Sequence, residues 1–77
     1  MDSEPVILES AHRHGVSEGD MLHTYKNALF ATDVGEGVTI YVGPAAPGHP
    51  FLEIGVAAWY GELTIVHAMP ARAKFLR

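Results

Sequence analysis

The side chains of this chain that could hold a phosphate and move protons around it gather at two places. Arg13 and His14 stand together early, and the closing run from Met69 to Arg77 holds Arg72, Lys74 and Arg77 with no acid among them. His67 lies just ahead of that second cluster. Histidine is suited to proton transfer near neutral pH, and arginine presents a planar fork that fits a phosphate. Each residue also has a plainer reading. Arg13 and His14 fall where a first helix would end, and the helix dipole favours positive charge there. His67 shares strand parity with Leu63, Ile65 and Met69. It is therefore a satisfied core histidine if that face is covered, and a general acid or base if it is open. Arg72, with Lys74 in support, is either a phosphate ligand or a plain surface charge.

Other candidates carry less. Glu53 shares a strand face with Phe51, Gly55 and Ala57, where its carboxylate is either a base or simply solvated. Tyr41 and Trp59 could stack on a nucleobase, although such residues are commonly core or partner contacts. Five histidines raise the question of a metal. His12 and His14, two apart, would point to different faces of a helix, and no second group of Asp, Glu or Cys accompanies them. No metal or cofactor is expected. Gly35 and Gly37 mark a turn and not a phosphate loop, since the strand-to-helix context is missing.

These residues must be positioned by a small fold. The 77 residues make one domain, 1–77, and with no cysteine the hydrophobic core must hold it. The composition supplies such a core, with 48% apolar and 18% charged residues, which excludes a disordered chain. The opening residues lack the basic and then apolar pattern of a signal peptide, and no stretch approaches the ~20 apolar residues of a membrane span. The net charge of −4 argues against a generic nucleic-acid binder. Its distribution softens that objection, because no Lys or Arg lies between Lys26 and Arg72, while Asp33, Glu36, Glu53 and Glu62 are acidic.

The first half reads as helical. Pro5 suits a first turn, and Val6, Ile7, Ala11 and His14 recur on one helix face until Gly15 ends the segment. Ser17 then caps a second helix, with Asp20 three residues on and Met21, Leu22, Tyr25, Ala28 and Leu29 on its apolar side. Helices are expected at about 5–14 and 18–27. The second half reads as strands at 29–33, 38–42, 51–59 and 63–69, with a turn at 34–37 and a Pro- and Gly-rich loop at 43–50. The expected fold class is α+β: two N-terminal helices packed on one face of a four-stranded antiparallel sheet, with a short C-terminal helix or tail after Pro70.

Three stretches stand in a telling order: Ala11-His12-Arg13-His14-Gly15-Val16-Ser17, then Val42-Gly43-Pro44 followed by Leu52-Glu53-Ile54-Gly55-Val56, and finally Ile65-Val66-His67-Ala68-Met69-Pro70-Ala71-Arg72. Over roughly residues 8 to 76 the chain resembles the BrnT family, toxins of bacterial type II toxin–antitoxin modules with a RelE/ParE-like fold. In that family a Lys-His-Gly-Val-Ser segment precedes the second helix and an Ile-Ile-Ser-Ala-Arg segment forms the last strand. The resemblance implies a cytoplasmic, metal-independent endoribonuclease acting on RNA, silenced by a cognate antitoxin of ribbon-helix-helix type, with no cofactor and no membrane partner. On the family's motif Arg13 and His14 take the place of its Lys-His pair and His67 that of its serine. With Arg72 added on residue type, His67, Arg72 and His14 are the expected catalytic residues and Arg13, Lys74 and Arg77 the expected RNA contacts, the two basic clusters meeting at one shallow site. The chain departs from the family where Met69 replaces the expected arginine and Pro70 another often basic position. A catalytically weak or inactive binding module on the same fold, regulated by a protein partner, is the second expectation, favoured by the acidic middle of the chain.

Overall fold

A computed structural model describes residues 4–59 and 61–76 of the chain. Strand β1 (Val6–Ile7) leads into a 3₁₀ turn at Glu9–His12, and helix α1 spans Glu18–Lys26. Strands β2 (Phe30–Gly35), β3 (Val38–Pro44), β4 (Phe51–Trp59) and β5 (Glu62–Pro70) follow, and a second 3₁₀ turn occupies Ala73–Phe75. The five strands form one mixed sheet in the order β1-β5-β4-β3-β2. β1 runs parallel to β5, and every other pairing is antiparallel.

This corrects the expected RelE/ParE-like architecture of two helices on a four-stranded antiparallel sheet: there is one α-helix among the described residues, and the sheet is five-stranded and mixed. The segment expected as a helix at 5–14 opens as a strand instead. Val6 pairs with Thr64 and Ile7 with Ile65, and the Leu8 N–H donates to the Ile65 carbonyl at 3.0 Å. The edge of β5 offers a ladder to two β-branched residues, and that tertiary opportunity outweighs a weak helical periodicity. Too few residues then remain before Gly15, which sits at φ +75°, for more than a 3₁₀ turn.

The second expected helix is present. Ser17 caps it, its hydroxyl accepting from the Asp20 N–H at 3.1 Å. Glu18 and Asp20 lie in its first turn and His23 and Lys26 in its last, each favourable to the helix dipole. Met21 is fully buried and packs with Ala11, Ile54, Val56, Ile65 and Ala68, so α1 and the first 3₁₀ turn cover one face of the sheet. Thr24, also fully buried, donates its hydroxyl to the Pro44 carbonyl at 3.0 Å. That bond ties the helix to the end of β3, which runs two residues beyond its expected end at Val42. Proline is accommodated there because it is the final residue of the strand. At Gly43 a Cβ would lie 2.9 Å from the Ala28 Cα and 3.0 Å from the Asn27 carbonyl oxygen, so only glycine lets the chain leaving α1 cross β3.

Candidate functional site

Glu53 is the centre of the polar cluster. Its neighbours on β4, Leu52 and Ile54, are buried apolar residues, and Glu53 points to the opposite face and is itself wholly buried. The expected face is correct, but the expected exposure is not: the carboxylate is neither open nor solvated. Arg72 closes over it. The Arg72 backbone N–H donates to Oε1 at 2.8 Å, Nε to Oε1 at 3.0 Å and to Oε2 at 3.1 Å, and Nη2 to Oε2 at 2.6 Å. His67 reaches the same Oε2 through Nε2 at 3.1 Å. An ionised carboxylate can only accept, so the Nε2 of His67 carries a proton and, in the neutral ring, Nδ1 bears the lone pair.

Burial by itself would raise the pKa of Glu53. The hydrogen bonds from the Arg72 side chain, the Arg72 backbone and His67, together with the guanidinium charge, outweigh burial and hold the carboxyl below its ordinary value. Arg72 is shifted up by the hydrogen bond to Glu53, burial opposing and the charge of the carboxylate adding to the rise. No buried side-chain nitrogen or oxygen among the described residues lacks a hydrogen-bond partner. The pair is a directional lock: about half of the Arg72 side chain and a third of that of His67 still face solvent.

The face that His67 occupies is decided by a bulge. Gly55 pairs with His67 but Val56 pairs with Ile65, so Val66 is an extra residue on β5. Successive residues of β4 point to opposite faces, and Ile65 and His67 therefore do so as well, although their numbers share parity. Ile65 enters the core under α1, while His67 lies beside Glu53. The first 3₁₀ turn buttresses the bulge, since the Ser10 hydroxyl donates to the Val66 carbonyl at 2.9 Å. Gly55 makes room: a Cβ there would lie 3.2 Å from the Cβ of His67.

His14 joins the cluster from the other half of the chain. Its ring meets that of His67 edge to face, with centroids 6.1 Å apart. Thus His14, His67 and Arg72 are brought together, with Glu53 beneath. Lys74 approaches the same neighbourhood through Phe75, whose ring lies 5.1 Å from Nζ and 5.5 Å from the Arg72 Cζ. Arg13 is exposed and makes no ion pair among the described residues. Arg77 lies outside the described residues.

The remaining candidates disperse. His12 pairs with Glu18 at 3.0 Å, and His23 bonds the Pro44 carbonyl at 3.0 Å. Tyr41 packs on Tyr25 with ring centroids 5.2 Å apart, whereas Trp59 is half exposed at the far end of β4. No three His, Asp or Glu side chains among the described residues stand close enough to share a metal ion. None of the described helices is long and apolar enough to cross a membrane. Glu53 is the residue of this cluster whose burial the sequence reading did not foresee. The available signal was an acid between buried-type neighbours Leu52 and Ile54 in the most apolar strand, a placement that demands a partner.

Comparison with protein-family models, with curated proteins and with solved structures returns no match.

Proposed function

We propose that this chain is a metal-independent endoribonuclease, a toxin of the kind its sequence resembles in the BrnT family, and that its site is the His14, His67, Glu53 and Arg72 cluster. The observation that carries the reading is the pair of histidine rings 6.1 Å apart, next to a guanidinium oriented by a buried carboxylate. Cleavage of RNA without a metal needs a base for the 2′-hydroxyl, an acid for the leaving oxygen and a cation for the phosphate. Glu53 orients His67 through Nε2, so Nδ1 takes the 2′-hydroxyl proton. The 2′-oxygen attacks phosphorus, the bond to the 5′-oxygen breaks, and protonated His14 supplies that oxygen with its proton. The products are a 2′,3′-cyclic phosphate and a 5′-hydroxyl. The Nη1 end of Arg72, which Glu53 does not engage, and the ammonium of Lys74 face the charge that builds on the phosphate. Arg13 and Arg77 extend the contact along the RNA, and a cognate antitoxin silences the enzyme in the cytoplasm.

The test is cleavage of a defined RNA by purified protein in EDTA, with end-group analysis of the fragments. The expected fragments carry cyclic phosphate and 5′-hydroxyl ends, and a 2′-deoxy substitution at the scissile position abolishes cutting. His67→Ala lowers the rate by about 10² to 10⁴-fold, and His14→Ala by a similar factor. Wild-type rates in both variants, or activity that EDTA removes, overturn the assignment.

A second reading has its own support. Glu53 is already ion-paired with Arg72, and Met69 and Pro70 are apolar where a stronger nuclease would be basic. On that reading the chain is a partner-regulated binding module of weak activity. Absence of growth arrest on expression, together with a tight complex with a neighbouring gene product, decides for it.

A further inference from the structure

Of the longer strands, β2 alone buries nothing: all six of its residues, Phe30–Gly35, are exposed. It lies at the edge of the sheet, so one side of its backbone has no neighbouring strand among the described residues. Natural sheets blunt such edges with short strands, lysine, proline or bulges. β1, at the other edge, is two residues long. β2 is three times that length and holds no Lys or Pro; it carries the bulge at Val34, near the turn, and a single charge, Asp33. Leu29, Phe30 and Val34 remain 66%, 40% and 49% exposed.

The charge around this edge has one sign. Asp33 lies in the strand and Glu36 in the turn that follows, and neither forms an ion pair among the described residues. Among the described residues the Asp33 carboxylate accepts only the Gly35 N–H, at 2.8 Å. Glu62, the first residue of β5, belongs to the same end of the sheet, because Gly35, Val38, Ala57 and Thr64 follow one another across the register. Arg72 and Lys74 lie beyond the opposite end, after Pro70.

We propose that β2 is the docking edge for an extended, basic segment of a protein partner, which adds to the sheet as a further strand. Backbone hydrogen bonds to the open side of β2 supply affinity, apolar side chains of the segment cover Phe30, and its Lys or Arg side chains meet Asp33 and Glu36. A second copy of this chain fits less well. Each copy carries a net charge of −4, and edge-to-edge pairing would bring Asp33 and Glu36 of both copies onto one seam. RNA is repelled from this edge for the same reason. The inference does not depend on the cleavage chemistry.

Two short synthetic peptides test it on the intact chain, one alternating Val with Lys and the other Val with Glu. The readouts are amide chemical shifts and amide hydrogen exchange, with sedimentation of the free chain alongside. The Lys peptide is expected to shift and protect amides of residues 30–34, and the Glu peptide to leave them unchanged. Glu36→Lys, at an exposed turn position, weakens the Lys peptide roughly 3- to 10-fold while the circular dichroism spectrum stays that of the wild type. Equal binding of both peptides overturns the proposal, as does protection confined to residues outside β2. A free chain that already dimerises with those amides protected assigns the edge to a second copy, and also overturns it.

Discussion

The two faces of β4 solve the same problem by opposite means. One presents Ile54 and Val56 to Met21 of α1, Ile65 and Ala68, an apolar contact that needs volume but no particular partner. The other buries Glu53, whose charge is tolerated only because Arg72 and His67 meet it at fixed angles. Apolar packing accepts any side chain of similar shape, whereas a buried carboxylate accepts only donors in the right directions. The first face is packed by apolar contact alone, whereas the second sets one buried charge beside the apolar Ile40, Val42 and Ala57.

Variants can break that division. Ile54→Ala should carry the largest stability effect, about 2 to 5 kcal/mol by urea denaturation, because Ile54 is wholly buried under α1. Ile54→Leu should cost less than about 1.5 kcal/mol, and RNA cleavage per folded molecule should be unchanged. A loss of cleavage in Ile54→Leu at full folding would mean that the two faces are coupled. Gly43→Ala comes next, at about 1 to 3 kcal/mol, since the new methyl meets backbone at Ala28 and Asn27 and not a flexible side chain. A neutral outcome there would show that the exit of α1 can slide over β3.

The charged face should reveal itself through pH. The carboxyl of Glu53 is held below its ordinary value of 4.5, so its contribution to stability is complete above that pH. It is lost as the pH falls from about 4.5 through the lower value of the folded state, where protonation releases Arg72 and His67. Glu53→Gln removes this dependence. Subtracting the variant's stability profile from that of the wild type should leave a difference that is flat at neutral pH and shrinks in acid; a difference independent of pH sinks the claim. The smallest effect is expected at Gly55→Ala. Its methyl would press on the Cβ of His67 at 3.2 Å, so on the proposed function RNA cleavage should fall several-fold, roughly within the 10²-fold that a misplaced catalytic group costs. Thermal stability should barely change.

Much of this was legible in the residues alone. Ser17 with Asp20 marked the start of α1, the alternation in Val38–Val42 and Leu52–Ala58 marked β3 and β4, and the grouping of His14, His67 and Arg72 named three side chains that do come together. These signals are local: a cap lies within one turn, and a strand's alternation within its own length. Three things were not local. Val6 and Ile7 become a strand only because the edge of β5 is there to pair with them. His67 turns away from Ile65 only because Val66 bulges, which depends on the register between β4 and β5. Glu53 can keep its charge while buried only because Arg72, far along the chain, returns to pair with it. Sequence by itself determined which side chains were available and which segments could be regular. Tertiary structure alone decided which face each side chain took and whether a charge had a partner, because pairing, register and burial are properties of two segments together and are written in neither one.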